Sequence, residues 1–137
     1  MNLLDKLPHK APALLLDDVL DVDETGATCA IVRAPHASLA PDGLLPAPLG
    51  LEVMAQAAAA WMCWRYPAEP CEGMLVQCRD FEMKVRRLNV SAGLRVEAKP
   101  LSVGSATGLY MFAGKIMAEG GDVLASSTFL LLVRKKP

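Results

Sequence analysis

No excess of basic charge marks this sequence. The 14 lysines and arginines stand against 15 aspartates and glutamates, leaving a formal net charge of -1. Without a basic field there is no general attraction for nucleic acid or an anionic membrane surface, so a substrate has to be recognised by local groups. The 4 cysteines, Cys29, Cys63, Cys71 and Cys78, lack CxxC spacing and have no histidine at zinc-ligand distance along the chain. No metal site is expected from them, and the thiols are read as reduced and cytoplasmic. Nothing at the N-terminus resembles a signal peptide. The uncharged stretch from Val53 to Trp64 is well short of the ~20 apolar residues that a membrane-spanning helix needs, which makes a buried helix the better reading.

What is present is material for a core. The chain has 137 residues, of which 53% are hydrophobic and 21% charged, and these values predict one compact domain over residues 1–137. "ALLLDDVLDV" suits a strand, and after the turn-like "DVDETG" the segment "GATCAIVRA" alternates, with Ala27, Cys29, Ile31 and Arg33 on one face. The two are expected to form a hairpin. Residues 35–48, "PHASLAPDGLLPAP", carry four prolines and a glycine and are expected to be irregular, in a loop long enough to be functional. A helix follows, with Pro48 in its first turn and an Ala-rich body, ending near Tyr66 and Pro67.

Beyond the helix the pattern turns to period two. "MLVQCRDFEMKV", "LRVEAKPLSV", "LYMFAGKIMA" and "DVLASSTFLLLV" read as strands, the last two joined by the hairpin turn "EGGD". Two strands, a Pro-rich loop, one helix apolar nearly all round and about four more strands predict an α+β domain. A curved antiparallel sheet of about six strands should wrap the single central helix.

Within "PLGLEVMAQAAAAWMCW", residues 48–64, Glu52 is the one acidic or basic side chain. A charge there is costly without a partner or a task. Gln56 lies four residues further on, hence on the same helix face, and can hydrogen-bond the carboxylate or a water. The amides about Ala47 to Leu51, Gly50 among them, can polarise a carbonyl in the way that helix N-termini bind anions. Burial among Leu51, Val53 and Met54 favours a protonated Glu52, whereas the helix dipole favours its anion. The alternative is a structural carboxylate that caps the preceding loop.

"LPHKAPALLLDDVLDV", the Pro-rich loop and "EVMAQ", taken in this order, resemble the 3-hydroxyacyl-acyl carrier protein dehydratases of the hotdog fold. The closest flavour is the divergent subgroup of aryl-polyene and type II polyketide-like pathways. The resemblance covers nearly the whole chain. It implies a role in fatty acid or polyketide-like biosynthesis, with Glu52 as the carboxylate that serves the departing hydroxyl. The substrate would be held on the phosphopantetheine of an acyl carrier protein or on CoA, with no cofactor of the protein's own. It also implies a dimer whose site is shared between chains, a structural His9, and Phe81 on a strand beside the substrate tunnel. The family's loop histidine, the base for the α-proton, is missing, because gapless registration puts Ser38 at its position.

Three readings follow. His36, two residues from Ser38, is the base of a dehydratase site completed by Glu52, since two extended residues span ~7 Å. In the second, the chain is a half-site subunit that pairs with a His-bearing dehydratase in a heterodimer. In the third, it is an acyl thioesterase of the same fold in which Glu52 activates water. Ser38 without an Asp-His pair is not read as a nucleophile; it and Gln56, Gly50 and Phe81 are candidates for substrate contact. Arg86 and Arg87 are either a solvated strand end or a contact for phosphopantetheine or an acidic carrier.

Overall fold

The computed structural model describes residues 3–7, 13–67, 71–104 and 108–135. His9 and most of the "LPHKAP" segment lie outside these. In chain order the strands are β1 (Leu16–Asp23), β2 (Gly26–Ile31) and the short β3 (Leu45–Pro46). The helix α1 (Leu49–Arg65) follows, and then β4 (Cys71–Met83), β5 (Arg87–Leu88), β6 (Arg95–Gly104), β7 (Leu109–Met117) and β8 (Val123–Lys135). Six strands form one antiparallel sheet in the order β1-β2-β6-β7-β8-β4, and β3 pairs separately with β5.

The expected hairpin is there. Asp23 faces Gly26 at its end, and Ala27, Cys29 and Ile31 are buried together while Arg33 is exposed. β6 shows the alternation most plainly: Leu94, Val96 and Ala98 turn inward, Arg95 and Lys99 outward. Between β7 and β8 the chain turns on Gly121, whose φ of 97° suits a glycine, and Ala118 N–H closes the turn on the Asp122 carbonyl at 2.8 Å.

The sheet curls around α1, giving the hotdog architecture. Helix formation follows from the alanine run, and termination from Tyr66, which has left helical geometry at φ -127° and ψ 66° ahead of Pro67. Ala57, Ala58 and Ala60 are wholly buried, and these small side chains let the strands come close. β7 contributes to the same approach at Gly114, where an added Cβ would stand 2.9 Å from both Met54 Sδ and Phe129 Cε1. Around the helix, Phe112 stacks on Phe129 at 5.8 Å and meets Trp61 edge-on at 5.9 Å. Burying each such ring stabilises the fold by about 1.5–3 kcal/mol. Trp61 Nε1 also donates to the Asp23 carbonyl at 2.8 Å, tying the helix to the β1–β2 turn.

One edge of the sheet is β1, whose bulges and four aspartates, Asp17, Asp18, Asp21 and Asp23, discourage further strand pairing. The other edge is β4, broken by bulges between Leu75 and Gln77 and between Arg79 and Glu82. The second bulge holds Asp80 at a φ of 51°. Among the described residues no helix is long and apolar enough to cross a membrane.

Candidate active site

The site is built around the start of α1, and the small β3–β5 pair holds that start in place. Leu45 faces Leu88, Pro46 faces Arg87, and the next amide, that of Ala47, donates to the Arg86 carbonyl at 3.2 Å. Leu45 and Leu88 are both fully buried, so the end of the Pro-rich loop is anchored to the core. Pro48 then enters helical geometry at φ -58° and ψ -28°, with no side-chain cap.

This entry changes the place expected for Gly50. Its N–H donates to the Ala47 carbonyl at 2.8 Å, so neither it nor the Ala47 amide is open to a substrate carbonyl. Gly50 itself faces the core, where an added Cβ would stand 3.4 Å from Ile116 Cδ1.

Glu52 is half-buried one turn into the helix, and its Oε1 accepts a hydrogen bond from Gln56 Nε2 at 3.2 Å. The four-residue spacing thus makes the contact that the helix period predicts. Gln56 has a second task that periodicity does not reveal. It is completely buried, its Nε2 also donates to the Ala13 carbonyl at 2.9 Å, and its Oε1 accepts the Leu15 N–H at 2.8 Å. With carbonyl and amino group both engaged inside the chain, Gln56 supports Glu52 and is not placed as a substrate-binding side chain.

His36 and Ser38 form the second pair, on the exposed surface of the loop. The Ser38 N–H donates to His36 Nδ1 at 3.1 Å, and Ser38 Oγ lies 2.8 Å from the same nitrogen. A nitrogen that accepts an N–H carries no proton, so the neutral ring here has its hydrogen on Nε2. The His36 carbonyl accepts the N–H groups of Leu39 and Ala40, closing a local turn. The structure therefore joins Glu52 to Gln56 and His36 to Ser38, as two pairs on different segments.

Phe81 sits on β4 beside the Asp80 bulge, half-buried against the core. Of the apolar residues near the helix, Leu45, Met54, Trp61 and Met62 are buried core, while Leu44, Leu49 and Trp64 remain partly accessible. Cys29 is no candidate nucleophile: burial, assisted by Asp18, pushes its thiol up to about 12. Among the described residues no group of three or more His, Cys, Asp or Glu side chains could hold a metal ion.

The sequence reading missed the ion pair between Asp42 and Arg87, which joins the Pro-rich loop to β5. Asp42 also acts as the turn former expected of "PDG", its Oδ1 accepting the Leu44 N–H at 3.3 Å. Beside the pair, a recess of about 450 Å³ opens between Pro41, Leu44, Pro46, Pro48 and the two arginines Arg86 and Arg87. The two arginines of "KVRR" and the acid in "PDG" were visible in the sequence, but nothing there indicated that they meet.

Comparison with known proteins places the chain as a whole. The family model described as ApeP-like, ApeP dehydratase, matches residues 1–135. The 3-hydroxyacyl-[acyl-carrier-protein] dehydratase FabZ of Rhizobium etli (strain CIAT 652) is 28% identical over 141 residues, spanning 98% of this chain and 89% of its own length. Among solved structures, the dehydratase heterocomplex ApeI:P from Xenorhabdus doucetiae matches with a TM-score of 0.85 at 26% identity, over 99% of this chain and 93% of that one. The thioesterase HI1161 from Haemophilus influenzae shares the fold at 14% identity and a TM-score of 0.60, over 86% of this chain and 78% of that one.

Proposed function

The chain belongs to the ApeP-like dehydratase family, and from that premise we propose that it serves in dehydrating 3-hydroxyacyl thioesters on an acyl carrier, as one subunit of a two-chain dehydratase to which it contributes Glu52. The reaction needs a base to take the proton from C2, an acid for the hydroxyl leaving C3, and donors for the thioester carbonyl. Glu52 is the acid: its proton passes to the departing hydroxyl, the C3–O bond breaks, and water and the enoyl thioester are formed. The base comes from the partner.

The observation that carries this reading is the state of the two candidate groups. Glu52 is seated by a fully buried amide, whereas the basic nitrogen of His36 is covered by the backbone and hydroxyl of Ser38. A general base needs an accessible lone pair, and here that lone pair is already engaged. The structural match to a dehydratase heterocomplex supports pairing with an unlike subunit. The thioester would be carried on the phosphopantetheine of an acyl carrier protein or on CoA.

The test measures turnover of a 3-hydroxyacyl-carrier thioester by this chain alone and after mixing with a His-bearing dehydratase of the same fold. Activity should appear on mixing, survive His36→Ala, and fall by about 10²-fold or more in Glu52→Gln. Turnover by the chain alone that disappears in His36→Ala would instead establish a homodimer with His36 as base. Release of free thiol that depends on Glu52 would mark a thioesterase.

A further inference from the structure

We infer that the outer face of the sheet is a self-complementary contact surface, which binds the same face of a second copy of this chain about a two-fold axis running across the strands. The inference does not depend on the chemistry proposed above.

The side of β6, β7, β8 and β4 that is turned away from α1 carries two neighbouring cross-strand rows. The strand register sets Glu82, Ser126, Lys115 and Glu97 in one row, and Arg79, Thr128, Ala113 and Lys99 in the next. The residues between the rows on the three inner strands, Ser127, Gly114 and Ala98, are buried, so the rows share the opposite, outer face. Glu97 draws Lys99 at 3.5 Å and Lys115 at 3.6 Å, whereas no ion pair among the described residues holds Glu82 or Arg79. Between the charges a recess of about 350 Å³ opens over Ala113 and Gly114, with Asp80, Glu82 and Glu97 around it.

When two copies meet face to face, their two-fold axis lies in the plane of contact. An axis along the strands would bring each row against itself, setting Glu82 against Glu97 and Arg79 against Lys99. Like charges would then face each other at both ends. An axis across the strands, midway between the rows, brings each row against the other. Glu82 then meets Arg79 of the second copy, Glu97 meets Lys99, and Ser126 meets Thr128, each contact occurring twice. Lys115 stands over Ala113 of the second copy and enters the acid-lined recess. The next positions on β7 agree, because Met111 and Met117, both partly exposed, lie one row further out on either side and face each other. Opposite charges at matched positions fix such a register, and repulsion excludes the alternative. Packed sheets cross at about 30°, which displaces the outer strands by only a few Å, within reach of Arg, Lys and Glu side chains.

The size of the surface sets the strength of the contact. Four strands at about 4.8 Å and four rows at about 7 Å cover roughly 500 Å² per copy, or roughly 1,000 Å² in total, the lower bound for a specific interface. Association should therefore be weak and sensitive to salt.

The experiment measures the mass of the full chain by sedimentation equilibrium. At about 0.05 M salt the mass should be twice that at about 0.5 M, where the screening length is roughly threefold shorter. Glu82→Lys and Arg79→Glu each set like charges face to face, and each should hold the high-salt mass even in low salt. Both positions are exposed, so unchanged thermal melting by circular dichroism should accompany the loss. Mixed in equal amounts, the two variants should regain the doubled mass, since the cation introduced in one meets the acid introduced in the other. Ala113→Lys, which fills the recess and faces Lys115, should also abolish the doubling. A wild-type mass that is independent of salt, a doubled mass in any single variant, or a mixture that stays undoubled would overturn the proposal.

Discussion

Replacing Gly114 with alanine adds a single methyl group at a point of close approach between sheet and helix. The new Cβ would meet Met54 Sδ at 2.9 Å, Phe129 Cε1 at 2.9 Å and Met54 Cγ at 3.0 Å. Neither neighbour yields cheaply: Met54 is fully buried on α1, and Phe129 is stacked on Phe112. Overpacking of this kind costs about 1–3 kcal/mol, while removing a glycine from the unfolded chain returns about 0.4–1 kcal/mol. The net loss should be about 1–2 kcal/mol, or roughly 3–8 °C in Tm for a domain of this size. Met54→Ala alone should cost about 2–5 kcal/mol, because it opens a cavity at the same place. In the double variant the added methyl enters that space, so the two losses should fall short of their sum by about 1 kcal/mol. Urea denaturation of the four proteins measures the coupling. An unchanged midpoint in Gly114→Ala, or strict additivity in the double variant, would refute the close approach on which the reasoning rests.

The other predictions concern titration and the loop. Burial, with a smaller contribution from Asp18, raises the Cys29 thiol from 9.0 to about 12, so the folded state favours the protonated thiol. That contribution is fully present below pH 9.0 and is lost as pH rises toward 12, so stability to urea should decline across this window, and less so in Cys29→Ala. At pH 8 a thiol reagent should modify exposed Cys78 quickly and Cys29 only on unfolding; rapid labelling of native Cys29 would contradict its burial. Both partners of the Asp42–Arg87 pair are about half exposed, with side-chain accessibilities of 47% and 58%. Asp42→Asn should therefore cost less than about 1 kcal/mol, shrinking further in high salt, and a loss well above that would mean that the pair is shielded in the assembled protein.

The legible part of the fold was wherever one periodicity dominated. Val96 and Ala98 against Arg95 and Lys99, and Ala27, Cys29 and Ile31 against solvent, are period-two patterns whose burial is as expected. The helix was readable from its propensity and its flanking prolines. The β3–β5 pair was not, because two residues per strand give no period and Pro46 argues against a strand. Nor was the Asp80 bulge, which needs a positive φ at a non-glycine residue that no local signal announces. In the site, the Glu52–Gln56 contact follows from helical spacing, whereas the seat of Gln56 on Ala13 and Leu15 crosses 43 and 41 positions of sequence. The closure of Ser38 on His36 was equally hidden, since "HAS" alone does not say which nitrogen of the ring the backbone meets.

By itself the sequence determined that the chain is an α+β domain with one apolar helix, that this helix carries a single carboxylate, and that the residue one turn beyond it is a glutamine. Those properties are local, because they depend on residue type and on spacings of two or four positions. Only the tertiary structure decided how the carboxylate is held. The donor facing Glu52 Oε1 is oriented by backbone groups from another part of the chain, and the lone pair of His36 is covered by a loop turn. Hydrogen-bond direction depends on where groups meet in space, and a one-dimensional pattern does not contain it.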